Sequence, residues 1–112
     1  MTLTESEVKE LQTTYSYLTN YEAEEPDAPI DPLSYVDSNG DALLHIAAQR
    51  GDLRSVEILL RAGIDANQIG DMGNTALHYA KDEPLANLLI EHGASVDTYN
   101  EFGEWPSWKV KK

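Results

Sequence analysis

The sequence contains two copies of one pattern, and the second copy follows the first by 33 positions. In each copy a glycine precedes a Leu-His pair, and an alanine follows the histidine two positions later. The aligned pairs are Gly40 and Gly73, Leu44 and Leu77, His45 and His78, and Ala47 and Ala80. Self-similarity at a period of roughly 20–50 residues is typical of stacked units that bury their apolar faces only against their neighbours.

Each copy has the pattern of a turn followed by two short helices. Gly40 and Gly73 stand where a tight turn requires positive φ. Thr75 is a candidate N-cap for the first helix of the second copy, and Asp41 is the candidate in the first copy. In the first copy, Leu44 begins the apolar face of the first helix. The small alanines on this helix allow a neighbouring helix to approach closely.

The second helix of each copy is amphipathic and ends at a glycine. Its apolar positions in the first copy are Val56, Leu59 and Leu60. Gly63 and Gly93 then suit the left-handed position that follows a helix C-terminus. Neither helix pair can bury its apolar stripe alone, so the units are expected to stack.

These residues resemble the ankyrin repeat, whose pattern runs roughly D-x-x-G-x-T-P-L-H-x-A-A, then G, V-x-x-L-L and G-A-D-x-N. The first copy matches it at Asp37, Gly40, Leu44, His45, Ala47, Ala48, Gly51, Val56, Leu59, Leu60, Gly63, Asp65 and Asn67. The second matches it at Gly73, Thr75, Leu77, His78, Ala80, Leu88, Leu89, Gly93 and Ala94. The resemblance implies an all-α fold, a short ankyrin-repeat solenoid, although the second copy lacks three residues between its helices.

We predict a single domain over residues 1–112, with both ends of the stack closed. Its parts are an N-terminal capping helix (4–21), an acidic Pro-rich connector (22–36), repeat 1 (37–69), a shortened repeat 2 (70–99) and a C-terminal half-repeat cap (100–112). Thr4 and Glu7 form a capping box at the start of the first helix. Its apolar stripe is Val8, Leu11, Tyr15 and Leu18, widened by Tyr17 and Tyr21. The alternative is an amphipathic helix offered to a partner.

Apolar residues also flank the repeats. Leu33, Tyr35 and Val36 are expected to pack against the first hairpin. The C-terminal rings are Tyr99, Phe102, Trp105 and Trp108. They are interpreted as a lid over the open end of the stack or, alternatively, as exposed binding anchors, with Phe102 the best candidate.

Twenty acidic and eight basic residues give a net charge of −12. This charge argues against nucleic acid or an anionic membrane as partner and favours a basic protein, although simple solubility is the alternative. The absence of cysteine excludes disulfides, a thiol nucleophile and a Cys-based zinc site. Because the sequence has no signal-peptide pattern and no long apolar run, a cytoplasmic chain is expected. The chain is also predicted to be monomeric when free.

The sequence offers no convincing catalytic or metal site. The resemblance implies that His45 and His78 bind the backbone of adjoining turns. Asp41/His45 and His78/Asp82 are i, i+4 pairs, but neither has a candidate nucleophile with an oriented partner. We therefore predict a non-enzyme with no metal and no cofactor.

In ankyrin-like stacks, partners usually meet the hairpin tips and the exposed side of the first helices. Carried over by position, this surface consists of Ser38, Asn39, Asp41, Gln49, Arg50, Asp71, Met72, Asn74, Lys81, Glu101, Phe102 and Glu104. Small acidic proteins of this kind resemble immunity proteins that neutralise a toxin. The prediction is an acidic stoichiometric inhibitor that occludes a basic partner such as a nuclease toxin, or alternatively a scaffolding subunit.

Overall fold

The structure, a computed structural model, describes residues 3–18 and 29–106. Its helices are α1 (Glu5–Thr14), α2 (Leu43–Arg50), α3 (Leu53–Arg61), α4 (Ala76–Tyr79) and α5 (Glu83–Glu91), with a 3₁₀ turn at Asp71–Gly73. Within these two ranges the only extended pairing is a single antiparallel bridge between Val36 and Ala42. The predicted all-α class is confirmed.

The helices after α1 form two stacked pairs. The inner helices α2 and α4 pack against each other, the outer helices α3 and α5 do the same, and each inner helix packs on its own outer helix. The shared core includes Leu43, Leu44, Val56, Ile58, Leu59, Leu77, Leu85 and Leu89, all fully buried. Truncating one such leucine to alanine costs about 2–5 kcal/mol of folding stability.

The three residues that the second copy lacks are missing from its inner helix, α4. α2 has eight residues, whereas α4 has only four. The outer helices both have nine residues, and Asp52 and Asp82 cap them in the same way, by accepting a backbone N–H at 3.2 and 3.0 Å. Because one helical turn holds 3.6 residues, the deletion removes about one turn of α4, and the chain leaves it at Ala80 in an extended conformation.

Helix α1 begins as predicted but ends early. The capping box is present, because the Glu7 N–H donates to the Thr4 hydroxyl at 3.1 Å and the Thr4 N–H donates to Glu7 at 3.2 Å. The predicted extent of 4–21 is wrong, since the helix stops at Thr14 and a turn follows. Thr13 and Thr14 are weak helix formers, and Tyr15 leaves the helix to enter the core. Tyr17 is exposed, and Tyr21 lies outside the described residues.

Helix α1 docks on the outer helix α3. Glu7 pairs with Arg61 at 2.8 Å and Glu10 pairs with Arg54 at 3.0 Å, both near the surface. The hydroxyl of the buried Tyr15 donates to the Asp52 carboxylate at 2.8 Å. Because surface ion pairs contribute little, apolar burial and the Tyr15 hydrogen bond hold this helix in place.

The described part of the connector also contributes to the core. Ile30 and Tyr35 are buried, and the Gln12 amide donates to the Ile30 carbonyl at 3.0 Å. Leu33 and Val36, which were expected to pack against the first hairpin, are exposed instead. No helix in the described ranges is long and apolar enough to cross a bilayer.

Candidate protein-binding surface

Three hairpin tips with the same backbone hydrogen bonds lie side by side along the stack. They are residues 37–41, 70–74 and 100–104, called here the first, second and third tips. In each, the N–H of the first residue donates to the carbonyl of the fifth, at 2.9, 2.8 and 3.0 Å. The fourth residue is a glycine with positive φ whose N–H donates to the first carbonyl, at 3.1, 3.2 and 3.0 Å. The predicted turn glycines are confirmed.

The second tip differs from its neighbours at its first residue. In the outer tips the side chains of Asp37 and Asn100 each accept the N–H groups of the third and fifth residues, all at 2.9 Å. Gly70 has no such acceptor. The Asp41 carboxylate from the first tip occupies this space and accepts the Asp71 N–H at 2.9 Å. A methyl group at residue 70 would collide with it.

The backbone of the second tip is strained. Its central residues form a 3₁₀ turn in which Met72 has a φ of 60°, the one positive φ outside glycine among the described residues. A left-handed conformation costs a side chain such as methionine about 1–2 kcal/mol. Strain of this kind persists only where surrounding contacts enforce it, and it clusters at binding sites.

Hydrogen bonds between the second and third tips join them into one surface. The Glu101 N–H donates to the Met72 carbonyl at 3.0 Å, and the Asn100 side-chain amide donates to the Asn74 side-chain oxygen at 2.8 Å. These bonds fix the relative position of the two tips before any partner arrives, which lowers the entropy cost of binding.

Because the tips are in register, the predicted partner-binding residues fall into rows. The second position of each tip carries Ser38, Asp71 and Glu101; the third carries Asn39, Met72 and Phe102; the fifth carries Asp41, Asn74 and Glu104. Met72 is 48% exposed and Phe102 66%. Acidic and apolar character therefore concentrates on the second and third tips, while the first tip presents neutral polar side chains.

Asp41 does not belong to the exposed rim. It is only 5% exposed, and besides the Asp71 N–H it contacts the Gln49 amide at 3.4 Å and the Tyr79 hydroxyl at 3.5 Å. Nor does it cap α2, because Ala42 is the N-cap residue of that helix. Asp41 was predicted to lie on the exposed rim, but its carboxylate is buried against Gly70 and the backbone N–H of Asp71.

Each of the two histidine rings forms hydrogen bonds to backbone atoms of its own turn and of the following turn. His45 Nδ1 accepts the Ala42 N–H at 2.9 Å, and its Nε2 lies 2.9 Å from the Gln68 carbonyl. His78 Nδ1 accepts the N–H of Thr75, the N-cap of α4, at 2.9 Å, and its Nε2 lies 3.0 Å from a carbonyl of the third tip. The predicted structural role is confirmed, and both rings occupy equivalent places in successive layers.

A family model for ankyrin repeats in three copies matches residues 9–100. The chain belongs to the ankyrin-repeat family. Three relatives illustrate its range.

An ankyrin repeat-containing protein of Treponema pallidum (strain Nichols) is 44% identical over 79 residues, which make up 68% of this chain and 26% of the relative. Protein phosphatase 1 regulatory subunit 27 of Homo sapiens is 36% identical over 78 residues, 67% of this chain and 51% of the relative. Interferon antagonist OPG040 of vaccinia virus (strain Western Reserve) is 54% identical over 70 residues, 60% of this chain and 23% of the relative. The chain thus spans about half or less of each of these proteins.

Two further predicted residues, Gln49 and Arg50, end the inner helix α2 of this ankyrin stack, and a third, Lys81, follows α4. Arg50, the last residue of α2, places its guanidinium 5.1 Å from the centre of the Tyr15 ring and 5.6 Å from that of Tyr17. Gln49 precedes it and reaches back to Asp41, while Lys81 is exposed beyond the end of α4. Arg50 therefore packs on the two tyrosines that follow α1, at the opposite end of α2 from the tips.

A polar groove of about 500 Å³ opens beside the second and third tips. It is lined by Asn74, His78, Tyr79, Asn100, Glu104 and Trp105. Trp105 is 43% exposed, and the Tyr99 ring meets it edge to face at 4.9 Å. With Phe102, these rings are exposed rather than buried in a lid, and Trp108 lies outside the described residues.

The sequence pattern did not place His78, Tyr79, Asn100 and Trp105 in one groove. Tyr79 carried a signal, because it stands where the first copy has Ile46. Burial raises the pKa of the Tyr79 phenol, and the charges of Asp41 and Asp71 raise it further against the hydrogen bond from Asn74. Across residues 3–18 and 29–106, no group of three or more His, Asp or Glu side chains is arranged to hold a metal ion.

Proposed function

We propose that this ankyrin-repeat chain is a binding module for a basic protein surface and that it makes contact through its second and third tips. One observation carries the proposal. Met72 and Phe102 occupy the same position of adjacent tips and are exposed, with Asp71, Glu101 and Glu104 beside them.

An exposed apolar pair with an acidic rim suits a basic partner. Burying aromatic and methionine side chains at the centre of an interface slows dissociation. Carboxylates at the rim speed association and set the register against Lys and Arg side chains. The net charge of −12 adds long-range attraction. By contrast, Glu7 and Glu10 on α1 already pair with arginines of α3.

The names of two relatives fit a binding role. One is called a regulatory subunit of protein phosphatase 1 and another an interferon antagonist. The activities of those longer proteins stay with them. For this chain we propose stoichiometric occlusion, in which the tips cover a basic functional cleft, as an immunity protein would cover the phosphate-binding cleft of a nuclease toxin.

The experiment combines crosslinking with matched charge variants. A photoreactive amino acid at Phe102, introduced in the cells that naturally express the chain, should crosslink one basic protein, whereas the same group at Ile90 on α5 should not. With that partner purified, D71N/E101Q should lower the association rate about tenfold at low salt, and the difference should shrink at ~1 M salt. The control E57Q/E91Q removes two charges from the outer helices and should change the rate less than twofold.

Crosslinking from Ile90 but not from Phe102, or equal effects of the two charge pairs, would contradict the proposed surface. A partner that binds the tips but retains full activity in a saturated complex would contradict occlusion. That result would favour the scaffolding role instead.

A further inference from the structure

The groove beside the second and third tips is suited to a cation. None of its six lining residues is Lys or Arg, and both ring nitrogens of His78 face backbone partners or Thr75. The Glu104 carboxylate supplies negative charge, and the Tyr79 and Trp105 rings supply aromatic surface. Aromatic faces and a carboxylate are the groups that attract a cationic side chain.

Hydrogen bonds hold the groove in a fixed shape. The Glu104 backbone N–H donates to the Asn100 side-chain oxygen at 2.9 Å, and the Glu104 carbonyl accepts the Asn100 backbone N–H at 3.0 Å. Its carboxylate accepts the Asn100 side-chain amide at 3.0 Å, and the same amide donates to the Asn74 oxygen at 2.8 Å. The Tyr99 ring packs on Trp105 and limits its rotation. A preformed site loses less entropy when it binds.

We infer that this groove binds the guanidinium group of an arginine side chain on the partner. The inference rests on the proposed basic partner and identifies the residue type that it contributes. Arginine fits better than lysine, because a planar guanidinium stacks on aromatic rings while its N–H groups point to acceptors at the edges of the groove. Glu104 and the side-chain oxygen of Asn74 are such acceptors, and the exposed Trp105 ring offers the stacking surface.

The test uses three short peptides, acetyl-Gly-Gly-Xaa-Gly-Gly-amide, with arginine, lysine or the uncharged isostere citrulline as Xaa. Binding to the full chain is followed by NMR through the indole N–H of Trp105 and the side-chain amides of Asn74 and Asn100. The sequence has two tryptophans, so the indole signal of Trp105 is assigned by comparison with the W108F variant. The arginine peptide should shift these signals and bind about tenfold more tightly than the citrulline peptide, with lysine between them.

Two variants locate the site. E104Q should weaken the arginine peptide about tenfold, and W105L about fivefold. The matched control E91Q removes the same charge from an exposed position on α5, outside the groove lining, and should change binding less than twofold. Each variant is compared by circular dichroism with the parent chain, so that misfolding is not read as lost binding.

Equal binding of arginine and citrulline, or equal effects of E104Q and E91Q, would overturn the inference. The sequence also carries Lys109, Lys111 and Lys112. If the arginine peptide binds only after these three are replaced by glutamine, the chain's own tail is the occupant and the inference is wrong. In either case crosslinking from Phe102 to a basic partner would still stand, so failure of the groove is distinguishable from failure of the proposed function.

Discussion

The carboxylate of Asp41 lies where a side chain at residue 70 would project, and it accepts the backbone N–H of Asp71 in the second tip. This contact joins two repeats through one buried group. It also explains a glycine at a position where the other tips have Asp37 and Asn100.

Replacing Gly70 with alanine should therefore destabilise the fold by about 1–3 kcal/mol, because the methyl group must displace the Asp41 carboxylate. D41A should cost about 1–3 kcal/mol by leaving the Asp71 N–H without its acceptor. In the double variant the costs should not add, since the methyl group then has room. Urea denaturation of the four proteins gives the coupling energy, and strict additivity would refute the contact.

Met72→Asn should separate stability from binding. Asparagine tolerates the left-handed backbone that Met72 adopts at a φ of 60°, so the free energy of unfolding should rise by about 0.5–1 kcal/mol. Loss of the methionine side chain should nevertheless weaken the partner complex. Phe102→Asn is the control, because it removes a tip side chain where no such strain is present. Denaturation and binding are measured on both variants, and a stabilised Phe102 variant would refute the strain argument.

The two histidines should differ in their importance for stability. H45A leaves a buried N–H of Ala42 and the carbonyl of Gln68 without partners, at a cost of about 2–5 kcal/mol. H78A should cost about 1–2 kcal/mol, because its site is partly exposed and water replaces the lost bonds. Guanidinium denaturation measures both. An H78A cost equal to or above that of H45A would contradict this order.

Tyr15→Phe should cost about 1.5–3 kcal/mol by removing the hydrogen bond to the Asp52 carboxylate. Tyr17→Phe is the control, since the Tyr17 ring is exposed and its hydroxyl lies 3.4 Å from Arg50; its cost should stay below about 0.5 kcal/mol. Denaturation at neutral pH measures both.

The same contact predicts a dependence on pH at both extremes. Burial alone would raise the pKa of Asp52, but hydrogen bonds from Ser55 and Tyr15 outweigh it and hold the pKa below its usual value. This stabilisation is present above the ordinary pKa of about 4 and is lost as pH falls through the lowered folded value. Burial and the bond to Asp52 raise the pKa of Tyr15, so its contribution is present below about pH 10 and is lost as pH rises further. Y15F should therefore lose less stability than the parent chain in both directions.

Local patterns predicted the repeating framework because their causes are local. The turn glycines adopt the expected left-handed backbone, Gly63 and Gly93 follow the outer helices, and the Thr4–Glu7 capping box forms. Each feature depends on residues within about four positions of one another, so a single sequence is sufficient to find it.

Predictions failed where a distant residue decided the outcome. The stripe through Tyr15 suggested a helix to residue 21, but Tyr15 leaves the helix to reach Asp52, 37 positions away. Asp41 was expected on the surface. Its carboxylate is buried instead, in the space beside Gly70, where it accepts the Asp71 N–H. The groove depends on Tyr79 and Trp105 lining one cavity from two successive repeats, a placement that no local spacing indicates.

The sequence alone determined the repeat, its helix pairs and the backbone role of the histidines, because a 33-residue period and short-range capping chemistry leave few alternatives. Stacking decided which side chains face inward and which form the shared tip surface, since the register between tips is fixed by bonds such as Glu101 to Met72. Such bonds join residues that are adjacent only after the repeats have packed.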